Sequence, residues 1–153
     1  MLFQRVNRTD PEKIFIVVYN SYSTAALSNG QAVQWDFGTD IDGVGVTRPT
    51  ARATNRGYAT AGIVAESIAK NSYGLLQVYG YHAAVRVRSC TSSHLIAAGS
   101  PLTMNLAGSK FCLEPMCTAT GTTVQHQVWP CAFAFEAYTS WTTTTIKAFV
   151  KAL

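Results

Sequence analysis

This chain carries little charge. Asp, Glu, Lys and Arg make up 13% of its 153 residues, against 48% apolar ones. That is too apolar for disorder and too thin in charge for a coiled-coil-like helical surface. A membrane-spanning helix is also missing, because the longest apolar run, Ile14-Phe15-Ile16-Val17-Val18-Tyr19, is far short of the roughly 18 residues a span needs. The opening MLFQRVNRTDPEK carries no apolar core behind its basic residues, so no secretory signal is expected there. Twelve Lys and Arg against eight Asp and Glu leave a formal +4, but the basic residues are scattered. Without a Lys/Arg cluster, neither nucleic acid nor a membrane is an expected partner.

Site chemistry is equally sparse. Cys90, Cys112, Cys117 and Cys131 lack the Cys-x-x-Cys spacing of redox and zinc sites, and all are expected to be free thiols. His82, His94 and His126 have no Gly-x-Ser-x-Gly elbow or comparable nucleophile motif beside them. Asp36, Asp40, Asp42 and Gly43 suggest a calcium loop, but the acids miss the required alternation and Thr47 stands where Glu is needed. The triplet Asp36-Phe37-Gly38 matches a kinase motif by letters alone, with no phosphate loop or catalytic loop to accompany it. No catalytic residue, metal ligand or cofactor is therefore expected, and the chain does not read as an enzyme.

What the sequence does contain is short β-rich segments between turn signals. Residues 1–13 read as an arm: they are polar, with an apolar tip Met1-Leu2-Phe3, and Pro11 is unsuited to a central strand. Ile14–Asn20 is the clearest strand. Asn29-Gly30 is a turn, and Gln31–Phe37 alternates polar and apolar residues as a half-buried strand does. Residues 38–56 form a loop in which Val44 and Val46 suggest a short strand. Arg48, Arg52 and Arg56 recur every four residues there, but Pro49 and Gly57 oppose a long helix, so they are expected to be exposed loop charge or a basic edge for an acidic neighbour. Ala65–Lys70 suggests a single helical turn.

The segments then repeat in order, at an offset of about 69–70 residues. Ile16 and Val18 match Val85 and Val87; Gly30-Gln31-Ala32-Val33 matches Gly99-Ser100-Pro101-Leu102. Gly62–Ser67 matches Ala132–Ala137, and Leu76, Val78 and Tyr79 match Ile146, Ala148 and Phe149. The expected fold is mostly β: a small β-barrel or two packed sheets over residues 14–153, built from similar halves at about 14–82 and 83–151. Glu66 and Glu136 occupy the same place in each half. Paired carboxylates suit acid–base work, but repeat equivalence accounts for them as structural hydrogen-bond acceptors.

Beyond the pattern, "AGIVAESIAKNSYGLLQVYGY", "AAGSPL" and "CAFAFEAYTS", preceded by "DPEKIFIVVYNSYSTAALSNGQAV", resemble the capsid decoration, or cement, proteins of tailed bacteriophages. The resemblance covers most of residues 10–153. It leaves the Trp35–Arg56 loop and the Cys112–Cys117 segment without a counterpart. It implies a structural protein, made in the host cytoplasm, that binds the outside of an icosahedral capsid, commonly as a homotrimer, and clamps adjacent copies of the major capsid protein. The expected partner contacts are Met1, Leu2, Phe3, Arg5, Arg8, Arg48, Arg52 and Arg56. Two other readings are open. One is a different virion part, such as a head fibre base or tail protein. The other is a carbohydrate-binding β module using Trp35, Trp129, Trp141 and the tyrosines.

Overall fold

A computed structural model describes residues 12–39, 43–49, 60–89, 95–104, 111–116, 130–140 and 142–152. The described residues form nine strands and no helix: β1 (Lys13–Asn20), β2 (Ala32–Trp35), β3 (Gly45–Thr47), β4 (Thr60–Val64), β5 (Tyr73–Val87), β6 (Pro101–Met104), β7 (Leu113–Pro115), β8 (Ala132–Ala134) and β9 (Thr144–Lys151). The mostly β expectation holds. The helical turn expected over Ala65–Lys70 does not form. Ile68 instead makes an antiparallel bridge with Leu27, each N–H donating to the other's carbonyl at 2.8–2.9 Å. Burial decides the matter, because Ile68 and Leu27 are both fully buried in this arrangement.

All nine strands belong to one hydrogen-bonded sheet, which closes on itself twice. One ring of five runs β1–β3–β2–β4–β5 and back to β1; the other runs β5–β7–β6–β8–β9 and back to β5. The second repeats the first, strand for strand. Ala32 stands opposite Ile63 as Pro101 stands opposite Phe133. The N–H of Gly30 donates to Val64 O as that of Gly99 donates to Ala134 O. The bridge of Leu27 with Ile68 recurs as that of Ile96 with Tyr138. Gly30 and Gly99 both have positive φ, 79° and 85°, which an L side chain adopts only at a cost.

The rings share β5, a strand of 15 residues. The sequence reading places a boundary inside it, at 82/83, where the second copy of the repeat begins. Gly80, inside the continuous strand, serves close approach: its φ is 100°, and a Cβ would lie 1.9 Å from the Glu12 carbonyl oxygen. One matched pair also shifts. Val64 lies opposite Leu76, but Ala134 lies opposite Ala148 rather than Ile146. A slide of two residues preserves which side chains face inward, so the repeat tolerates it.

Each ring has its own core. Val18, Leu27, Val33, Val46, Ala61, Val64, Ile68 and Leu76 fill the first. The second holds Val85, Val87, Ile96, Leu102, Met104, Leu113, Ile146 and Val150, together with Ala32 and Ile63 from the first half. Alternation along β2 and β4 explains the crossing, since Ala32 and Val33, or Ile63 and Val64, point to opposite faces. Both faces of these strands are thus buried, one against each core.

Candidate functional site

Of the eight expected partner-contact residues, the described structure places Arg48. It follows β3, is exposed, and holds its guanidinium 5.7 Å from the centre of the Tyr22 ring. Tyr22 in turn meets Phe111 edge-on at 5.3 Å. Arg48 therefore carries a cation–π contact as well as a surface charge. Met1, Leu2, Phe3, Arg5, Arg8, Arg52 and Arg56 lie outside the described residues, as does the arm of residues 1–13 up to Pro11.

The structure does assemble a surface that the sequence reading missed. On β1, Ile16, Val18 and Asn20 turn inward, while Phe15 and Val17 turn out, 43% and 63% exposed. Antiparallel pairing sets Val17 beside Leu75 and Tyr19 beside Tyr73. Leu75 and Tyr73 are themselves exposed, and the two tyrosine rings lie 5.2 Å apart. Aromatic pairs continue the strip across the second ring. Tyr79 meets Phe149 edge-on at 5.0 Å, and Tyr81 stacks on exposed Phe135 at 6.1 Å. The sequence signal was available, for Ile14–Tyr19 is apolar at every position rather than at alternate ones, as a strand with two covered faces reads.

Glu136 behaves as the repeat predicted. It accepts the Lys147 backbone N–H at 3.1 Å and pairs with the Lys147 ammonium at 2.8 Å. These bonds hold its carboxyl below the ordinary range. Glu66 does not share that role. Val64 faces Leu76 where Ala134 faces Ala148, so Leu75 occupies the place of Lys147 and offers no cation.

Cys112 and Cys131 are buried, whereas Cys90 and Cys117 lie outside the described residues. Burial pushes the Cys131 thiol up to about 12, outweighing a hydrogen bond with Thr60. No group of acidic, His or Cys side chains among the described residues is arranged to hold a metal ion. No described helix is long and apolar enough to cross a membrane. Trp35 packs against the first core; Trp129 and Trp141 lie outside the described residues.

His82 is the buried titratable group at the junction. Its Nδ1 accepts the Ala84 N–H at 3.1 Å, beside the irregularity where β5 slips against β9. Burial lowers its pKa below the usual 6.5; a hydrogen bond to the Val64 backbone opposes this, and the Lys13 charge adds to it.

These features define a class: a small β protein of two fused five-strand rings, with an apolar strip left outside. No family model matches the chain, and no curated protein matches it. Among solved structures, it is similar to the N base of head fiber gp8.5 of bacteriophage phi29, with a TM-score of 0.51 over 92% of this chain and 96% of that one. At 11% identity, the likeness is one of fold.

Proposed function

We propose that this chain is a structural protein of a phage virion, seated on the outer surface of the head. The observation that carries the reading is the shared fold, which spans almost the whole of both this chain and the phi29 head fiber base. The sequence resemblance to capsid decoration proteins supports the same location. Either way the partner is the major capsid protein, the chain works as a homo-oligomer, a trimer by resemblance, and it performs no catalysis. Repetition over a symmetric shell gives avidity, so each contact can be weak. The strip around Val17 and Tyr73 is the surface best suited to lasting contact. Residues 1–13 and Arg48, Arg52 and Arg56 add reach and charge.

Decoration and fibre attachment differ in stoichiometry. Quantitative mass spectrometry of gradient-purified particles should find the chain in them, and image reconstruction should place its density outside the shell. Hundreds of copies per particle identify a decoration protein, and a handful identify another virion part such as a fibre base. Absence from purified particles, or density confined to the tail or interior, would overturn the proposal. Deleting residues 1–12 should lower head occupancy while leaving the β fold intact; unchanged occupancy removes the arm from the contact.

A further inference from the structure

An open cleft of about 360 Å³ lies at the junction of the two halves, lined by Asn29, Arg86, Thr143, Thr144 and Thr145. Backbone geometry builds it. Pairing of β5 with β9 puts Thr144 opposite Val87 and Thr145 opposite Arg86. The Arg86 N–H donates to the Gly30 carbonyl at 2.8 Å, which draws the Asn29-Gly30 turn over the strand. That turn cannot lift away without loss, because Gly30 is pressed against β5: a Cβ there would lie 2.0 Å from the Ala84 carbonyl oxygen.

Arg86 is half-buried, and no described carboxylate pairs with its guanidinium. A guanidinium offers only donors, in a fork that fits a carboxylate, whereas threonine hydroxyls and an asparagine amide both donate and accept. That inventory matches a ligand with one carboxylate and several hydroxyls. No aromatic ring is among the described residues that line the cleft, so what those residues offer a sugar is charge and hydrogen bonding rather than stacking. Nor is the cleft a by-product of duplication. The position matching Arg86 in the first half is Val17, part of the apolar strip. Its volume falls at the lower end of the range for small-molecule sites, roughly 300–1,000 Å³.

We propose that this cleft binds an acidic saccharide, with its carboxylate on Arg86 and its hydroxyls on Asn29 and Thr143–Thr145. The inference does not depend on a virion location. Its test is an amide-resolved NMR titration of the full chain with glucuronate, alongside glucose and acetate at matched ionic strength. Glucuronate should shift the amides of Asn29, Arg86 and Thr143–Thr145, and bind at least tenfold more tightly than either control. Arg86→Gln should weaken glucuronate at least tenfold while leaving distant resonances in place. If that variant disturbs the fold, Thr145→Val, which removes one exposed hydroxyl, should weaken it measurably. No shifts at the cleft, or shifts that survive both substitutions, overturn the proposal. Equal binding of acetate removes the saccharide, and equal binding of glucose removes the role of Arg86.

Discussion

The buried side chain of Asn20 shows how much one residue can organise. The two hydrogens of its amide nitrogen are shared among the carbonyls of Ala25, Ile68 and Ala69, 3.2–3.3 Å away, and its Oδ1 accepts the Tyr22 N–H at 3.0 Å. It thereby ties the segment after β1 to the turn before β5. At the matching place in the second half stands Ser89, whose buried hydroxyl finds no partner among the described residues. Asn20→Ala should therefore cost about 2–3 kcal/mol, because buried carbonyls lose their donor. Ser89→Ala should be neutral or slightly stabilising, since it removes an unsatisfied group. Urea denaturation of both variants checks the contrast, and comparable losses would sink it. His82 gives a pH dependence of known sign. Its folded pKa lies below 6.5, so the unfolded chain binds the proton more readily. This contribution is complete above about pH 6.5 and is lost as pH falls toward the lowered folded value. Melting temperatures followed from pH 7.5 to 5 should fall, and His82→Asn, which keeps an acceptor for the Ala84 N–H, should flatten the slope.

At the scale of elements, β5 is decisive because both rings need it. A cut at 82/83 separates Tyr79–His82 from Phe149, Val150 and Lys151, and uncovers Ala32 and Ile63, which lie in the second core. Fragments 14–82 and 83–151 should therefore each give the collapsed amide spectra of unfolded chains, while the intact protein unfolds in a single transition. A folded, well-dispersed spectrum from either fragment would show the rings to be independent. The duplication was legible because turn glycines and apolar runs are local signals: Gly30 and Gly99 carry the same backbone requirement, and Gly62–Val64 and Ala132–Ala134 form matching strands. Continuity of β5 was not legible. A repeat read in one dimension divides the chain between its copies, and the contact that Gly80 makes with the Glu12 carbonyl exists only after β1 has folded back. The strip around Val17 was hidden for a related reason. An apolar residue at every position from Ile14 to Tyr19 says that both faces avoid water, not whether the same chain covers them. The expected contact residues stayed largely out of view because seven of the eight lie outside the described residues.

For the whole molecule, the scarcity of charge and the exposed strip belong together. A protein that functioned alone would gain little from leaving Phe15, Val17, Tyr73 and Phe135 in water. Val17→Lys with Tyr73→Glu should change stability by no more than about 0.5 kcal/mol per site, yet reduce head occupancy or self-association by at least tenfold. Light scattering and particle binding measure those effects; unchanged association would exclude the strip as a contact. The junction on β5 has one more consequence, which concerns how the chain is strung. Lys13, where β1 begins, pairs with Gly80, and Lys151, where β9 ends, pairs with Tyr79. The first and last strands thus meet the shared strand at one level, on its opposite edges, about 10 Å from each other at two strand spacings. Anything attached before β1 or after β9 leaves from this common level of β5, so both tethers pull on the same few residues.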